Sequence, residues 1–443
     1  MESSLPVAAL AAGLVLLYSL VARSLGRWNL TAPMAFVAAG YLLHLSADFT
    51  TASAEWLLPV AELTLALVLF HDAAAVRPSQ MERDGGFVGR LLLIGLPLTI
   101  MAGYLLAVLL FPGIPWAAAL LLGAMLAPTD AALGAATVSD KRIPVRVRRI
   151  LNVESGLNDG LATPVVLFAI AALATIEDVD PRGSATEALI EIGVAVVLGA
   201  LVGFVGGQLI RISQQRNWST GANLMVAGLA LPLLCYYGAP LVDGNGFIAT
   251  FVAGSFFGIA LKQGVPEKVL ALPEGLSLPL GDITWLTFGV LMVPQLLAGI
   301  GFAEVLYALA ALTVLRMLPV WLSLLGSGLR VQTAAFIGWF GPRGLASVVF
   351  SLIALESLER NDTLRTVLGT ATLTILLSVI LHGISAGPGA TKYSRWVNRA
   401  VPQVELVETR EPVLRGRMKH HRHTTHSEES PTGSDSTPPQ SDT

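Results

Sequence analysis

Charge is scarce in this chain. Of its 443 residues only 13% are Asp, Glu, Lys or Arg, while 53% are apolar; a soluble domain carries about a quarter charged residues. The composition therefore points to one polytopic membrane protein rather than to several soluble domains. Cysteine is almost missing. Cys235 stands alone beside Leu233 and Leu234, which excludes an intramolecular disulfide framework and a multi-cysteine metal site and reads as packing. A formal net charge of −3, with the basic residues in short clusters between apolar runs, offers nothing to nucleic acid. No Gly-rich phosphate loop is present, so ATP-driven work is not indicated. The N-terminus lacks the basic start and cleavage pattern of a signal peptide, because Glu2 precedes an apolar run that reads as a first retained span.

Apolar runs are what the chain has in abundance. They occupy residues 5–22, 30–45, 55–76, 91–111, 115–138, 150–175, 188–210, 221–238, 246–261, 276–298, 303–325, 333–355 and 363–384. Each approaches the length needed to cross roughly 30 Å of hydrocarbon, so the expectation is an all-α membrane protein with about thirteen transmembrane helices. Basic residues alternate from loop to loop. Arg23 and Arg27, then Arg77, Arg83 and Arg90, then Lys141, Arg142, Arg146, Arg148 and Arg149 lie on one side, with Arg211, Arg216, Lys262, Lys268 and Arg330 continuing the series. The other loops carry Asp48, Glu177, Asp178, Asp180, Asp243 and Glu304, with Arg182, Arg360 and Arg365 as exceptions. Positive charge is retained in the cytoplasm, so the N-terminus is expected outside and the C-terminus inside. Residues 1–385 form the membrane domain and residues 386–443 a polar cytoplasmic tail, largely disordered. Its His420, His421, His423 and His426 could hold a metal, but a solvated, pH-responsive tail is the reading preferred.

Within the sixth run stands Glu154-Ser155-Gly156-Leu157-Asn158-Asp159-Gly160. On a helix turning about 100° per residue, Ser155 and Asp159 share one stripe and Glu154 and Asn158 the next. The alternative, a hydrated surface loop, must be set against the oily sequence on either side. Carboxylates at membrane depth are costly and mark ion or proton pathways. Two other runs carry helix-breaking sequence. The fifth contains Ala127-Pro128-Thr129-Asp130, and the twelfth contains Gly338-Trp339-Phe340-Gly341-Pro342-Arg343-Gly344. A proline removes a backbone donor and frees carbonyls, and irregular backbone at that depth is tolerated only inside protein or around a wet cavity. A simple proline kink would account for either break alone. Paired breaks in corresponding spans, the fifth of spans 1–6 and of spans 8–13, point to inverted repeats with a site near the midplane.

The buried charges need partners. Arg343 cannot shed its proton usefully, and Glu154 or Asp130 could accompany it; Glu154 is preferred because that leaves Asp159 free beside Ser155. Asp159 is then the group that holds a proton or a cation in turn, with the freed Thr129 carbonyl and the Ser155 hydroxyl as neutral oxygen ligands. Asp72, after His71 at the end of the third run, lines the approach or is a solvated helix end, and His71 reads as interfacial. Arg316, inside the eleventh run, is expected to neutralise a carboxylate or carbonyl ends, with no particular partner assigned. Gly156 and Gly160 form a small-residue face expected to admit the broken fifth helix.

At these residues the chain resembles the monovalent cation:proton antiporters of the CPA1 family, in particular the prokaryotic NhaP-type sodium/proton antiporters. The likeness rests on Ala127 to Asp130, Glu154 to Gly160, and Gly338 to Ser347. It implies a homodimer of thirteen-helix protomers in the cell membrane, each with a moving bundle of spans 4–6 and 11–13 against a dimerisation side of spans 1–3 and 7–10. It implies that Asp159 binds cation and proton alternately, that Ser155 and Thr129 ligate the ion, and that Arg343 pairs with Glu154. It also implies an acid in the third span, matched approximately by Asp72, where the His71-Asp72 order departs from the family's usual one. No cofactor is expected and no enzymatic activity. Asn158 cannot ionise, so electroneutral one-for-one exchange of Na+, or of Li+ or K+, against H+ is the expectation. A K+/H+ antiporter, a cation channel and, remotely, an intramembrane aspartyl protease using Asp130 and Asp159 are the alternatives.

Overall fold

The computed structural model describes residues 5–407 apart from residues 29, 47–56, 77, 131–132, 135–138, 178–184, 262–264 and 297–298. Arg77, Asp48, Asp178, Asp180, Arg182, Lys262 and the tail histidines lie outside the described residues. Helices appear at each of the apolar runs: α1 (Leu5–Arg27), α2 (Ala32–Ser46), α3 (Leu57–Ala75), α4 (Pro78–Arg90), α5 (Leu96–Leu110), α6 (Trp116–Met125), α7 (Val145–Ile176), α8 (Ala185–Gln215), α9 (Gly221–Gly238), α10 (Gly246–Ala260) and α11 (Glu267–Leu291). They continue with α12 (Phe302–Leu312), α13 (Val314–Ser323), α14 (Val331–Trp339), α15 (Leu345–Ser357) and α16 (Asp362–Ala400). Among the described residues nine helical segments are long and apolar enough to cross a membrane, and four shorter apolar helices accompany them.

The chain breaks its helices where backbone hydrogen bonding fails. Pro97, at the start of α5, cannot donate an N–H, and the turn ahead of it widens to a π-helix over Leu91–Gly95 that joins α4 to α5. The eleventh apolar run, expected as one span, divides at Thr313 into α12 and α13. The fifth and twelfth runs break as expected, leaving α6 to end at Met125 and α14 and α15 separated by residues 340–344.

Two packing patterns surround these breaks. α10 lies against α3 and α8, and α11 against α2, α3 and α9. The α2–α11 contact is glycine to backbone, since a Cβ on Gly40 would stand 2.2 Å from the Leu286 carbonyl oxygen. On the other side, α6 packs on α5, α7 and α16, α12 on α16, and α13 on α14. α7, α15 and α16 touch both groups, α7 through α3, α8 and α10, α15 through α3 and α11, and α16 through α2.

The last helix runs further than composition suggested. α16 continues to Ala400, past residue 385 where the sequence turns polar, because Ala386, Ala390, Tyr393 and Val397 keep a helical spacing. That stripe is buried against Phe336, Phe340, Val147 and Ile150. Cys235 is buried.

Candidate functional site

α7 carries the acidic cluster and buries it. Glu154, Ser155, Asn158 and Asp159 are 1%, 6%, 0% and 7% exposed. The hydrated-loop alternative is therefore excluded. Opposite them, Pro128 prevents α6 from continuing, and Thr129 is left with backbone groups outside any helix. The Ser155 hydroxyl donates to the Thr129 carbonyl at 2.6 Å, and the two side-chain oxygens stand 3.2 Å apart. Asn158 Nδ2 donates to Thr129 Oγ1 at 2.8 Å and reaches Glu154 Oε1 at 3.4 Å. Asp159 sits one turn beyond Ser155, where residues four apart are neighbours on a helix surface. Asp72 comes from α3 into the same place: a Cβ on Gly156 would lie 3.2 Å from Asp72 Cβ and 3.6 Å from its carboxyl carbon.

The breaks of the two interrupted runs cross. Asp130 N–H donates to the Pro342 carbonyl at 2.8 Å, and Asp130 Oδ2 accepts from Leu345 N–H at 3.1 Å, so one acid caps the N-terminus of α15. A negative charge belongs at that end of a helix. Ser347 in turn donates to the Met125 carbonyl at the end of α6, 2.7 Å away. Only glycine fits the crossing, because a Cβ on Gly344 would stand 1.9 Å from Asp130 Cβ.

Here the expected ion pair is corrected. Arg343, 1% exposed, does not bond to Glu154. Its Nη1 donates to the carbonyls of Ala127 and Pro128 at 2.7 and 3.3 Å and its Nη2 to that of Ala311 at 2.7 Å. The reason is local. Carbonyls at the ends of α6 and α12 have no helical partner, and a guanidinium between them completes both and meets the negative ends of two helix dipoles. Glu154 is held instead by Arg316, whose Nη2 lies 2.8 Å from both carboxylate oxygens. The split of the eleventh run at Thr313, which turns α13 relative to α12, was not visible in its apolar sequence.

The glycines of α7 are corrected as well. They do not admit the fifth helix: Gly156 faces Asp72 on α3, and a Cβ on Gly160 would stand 2.0 Å from the Phe251 ring of α10. His71, read as interfacial, is 5% exposed and bonds Asp72 Oδ1 through Nδ1 at 2.9 Å.

Sequence reasoning missed one pair altogether. Ser378 and His382, four apart on α16, hold both ends of the second break. His382 Nε2 donates to the Trp339 carbonyl at 2.8 Å, and Ser378 Oγ accepts from Arg343 N–H at 2.7 Å. His382 Nδ1 lies 2.9 Å from the Ser378 carbonyl oxygen and 3.2 Å from the Ser378 hydroxyl. The signal was available as two polar residues on one stripe of an apolar helix.

A helical membrane bundle in which two broken helices cross beside a buried carboxylate cluster is the architecture of a polytopic ion transporter. The model of the family "Sodium/hydrogen exchanger, transmembrane" matches residues 10–392, and the chain belongs to that family. It is 26% identical over 351 residues to a K(+)/H(+) antiporter NhaP of Alkalimonas amylolytica, covering 78% of this chain and 58% of that one. It is 25% identical over 324 residues to a Na(+)/H(+) antiporter of Schizosaccharomyces pombe, covering 65% and 66%. The chain thus spans a little over half the length of the first of these relatives. Its fold is similar to that of the sodium proton antiporter MjNhaP1 from Methanocaldococcus jannaschii, at a TM-score of 0.72 and 23% identity over 89% of this chain and 100% of that one.

Proposed function

We propose that this chain is a secondary antiporter exchanging Na+, or Li+ or K+, for H+, and that Asp159 takes the cation and the proton alternately. The observation that carries the reading is the junction of Ser155 with the Thr129 carbonyl, on the same stripe of α7 as Asp159. A carbonyl has a second lone pair and a hydroxyl two of its own, so both oxygens can turn toward a hard monovalent cation beside the Asp159 carboxylate. Asp72 supplies a second carboxylate close by. Asn158, Glu154 and Arg316 hold Thr129 and α7 in register, while Asp130 and Arg343 hold the crossing.

The family and its named relatives support cation:proton exchange as the class of activity. Relatives are named for K+ as well as for Na+, and the three alkali ions share oxygen ligands and differ in the cavity they need. Asp130 is engaged in capping α15, which disfavours the reading of Asp130 and Asp159 as a protease pair. In this proposal α4–α7 and α12–α16 move as one bundle against α1–α3 and α8–α11, related by an inverted repeat, in a homodimer embedded in cell-membrane lipid with the C-terminus cytoplasmic. Exchange is electroneutral because Asn158 contributes no second titrating group.

The test is cation-dependent proton flux with the purified chain in proteoliposomes, scanned over Na+, Li+ and K+. Asp159→Asn should abolish exchange and leave a monodisperse folded protein; sodium-driven flux that survives the substitution would refute the assignment. Single-channel currents without coupled proton movement would favour a channel instead.

A further inference from the structure

The packing continues beyond the last helix. Val401, which closes α16, adopts the left-handed region at φ 42° and ψ 57°, a conformation a β-branched residue takes only where its surroundings hold it. The chain reverses there, and a turn follows in which Leu406 N–H donates to the Pro402 carbonyl at 3.2 Å. Glu405, 1% exposed, is thereby set against the start of α14. Its Oε1 accepts from Arg330 N–H at 2.9 Å and from the Thr333 hydroxyl at 2.7 Å. Thr333 Oγ1 also stands 2.9 Å from the Tyr393 hydroxyl of α16, so it accepts there, and the Tyr393 ring stacks on Phe336 at 4.1 Å between centroids. One residue earlier, the Val404 carbonyl accepts from Arg146 Nη1 at 2.5 Å. Arg146 lies in the first turn of α7 and is also bonded to Asp84 of α4 at 3.0 Å.

These contacts join the beginnings of α14 and α7, and the break that follows α14 lies against Thr129, where a Cβ on Gly341 would stand 2.8 Å from Thr129 Cγ2. α14 is nine residues long, a rod of about 13 Å, held by Glu405 at one end and by His382 at the Trp339 end. A carboxylate suits the free amides and positive dipole end of α14. A tilt of that rod displaces the following break, whose Arg343 grips the carbonyls of Ala127 and Pro128 next to Thr129.

We propose that Glu405 is a positioning residue for ion exchange: by capping α14 while its neighbour Val404 ties to Arg146, it fixes the broken helix relative to α7 and so the Thr129–Ser155 junction. The proposal rests on the antiport reading. The test uses the full chain in proteoliposomes, comparing wild type with Glu405→Ala and Glu405→Gln for alkali-ion half-saturation, pH profile and maximal rate per folded protein, together with amide deuterium exchange over residues 330–336. In Glu405→Ala those amides should exchange about tenfold faster, and half-saturation should rise about threefold or the pH profile move by about half a unit. Glu405→Gln retains a carbonyl acceptor and should behave as wild type. If Glu405→Ala does not fold, Thr333→Val, which removes one donor to the same carboxylate, is read in the same way and should shift half-saturation or pH profile in the same direction. Unchanged half-saturation and pH profile, or a loss of rate that only follows the amount of folded protein, overturns the proposal while leaving antiport intact. A wild-type chain that exchanges no alkali ion for protons overturns the reading beneath it.

Discussion

Arg316 holds both carboxylate oxygens of Glu154 at 2.8 Å, and the two residues are 1% exposed each. The pair locks α13 to α7 one turn before Asp159, and Asn158 extends it to Thr129. The arginine of the broken twelfth run serves carbonyls instead. Two cations thus divide two tasks, one neutralising an acid and the other ending helices.

That division can be tested by a double-mutant cycle. Removing one partner of a buried ion pair strands the other charge and costs about 3–5 kcal/mol. Arg316→Met should therefore lower the thermal midpoint of the purified protein strongly, and adding Glu154→Gln should recover much of the loss. Combining Arg343→Met with Glu154→Gln should be close to additive. Larger coupling of Glu154 to Arg343 than to Arg316 would contradict the geometry.

The crossing of the two breaks depends on the absence of one methyl group. Gly344→Ala brings a Cβ to 1.9 Å from Asp130 Cβ, so it should either prevent folding or reduce exchange by about tenfold or more, since small misplacements at a site are costly. Gly275→Ala on α11 is the control, because nothing lies within 4 Å of its would-be Cβ. Ala is the better helix former by about 1 kcal/mol, and the control should be neutral or slightly stabilising by size-exclusion melting.

Gly160 makes a compensable prediction. Its Cβ would stand 2.0 Å from the Phe251 ring, so Gly160→Ala should impair exchange, and Phe251→Leu in the same chain should restore part of it. Equal impairment of the single and double variants in flux assays would mean that the ring is not the obstacle.

Asn158→Asp removes the amide that donates to Thr129 Oγ1 and puts a second acid 3.4 Å from Glu154. Two carboxylates so close cannot both ionise. The variant should lose exchange rather than gain a second transported proton. Flux under an imposed membrane potential decides this, and a robust potential-driven exchange by the variant would oppose it.

The loop before α7 contributes a bond whose pH dependence has a definite sign. Hydrogen bonds from Arg142 hold the Asp140 carboxyl below the usual carboxylate range, and Arg142 also donates to Thr391 of α16 at 3.0 Å. A depressed carboxyl contributes stability above its unfolded value and loses it as pH falls toward the folded one. Asp140→Asn should therefore change thermal stability by the same small amount from pH 6 to 9, roughly, and the difference should vanish only in acid. A difference that varies across the neutral range would sink the assignment.

The sequence by itself determined the helices, because hydrophobic runs, loop charge and prolines act over short stretches of chain. It determined where the helices at Pro128 and Pro342 must fail, and that acids inside α7 needed company. The partners were decided by tertiary structure. Thr313 splits an evenly apolar run, and only the resulting turn of α13 brings Arg316 rather than Arg343 to Glu154. Gly156 and Gly160 announce close approach, but which neighbour approaches depends on helix packing that no periodicity encodes. Ser378, His382 and Glu405 lie 35, 43 and 75 residues from the backbone groups they complete, beyond the reach of local patterns. Propensity is settled between adjacent residues, whereas a buried polar group takes whichever distant partner the packed bundle brings within about 3 Å.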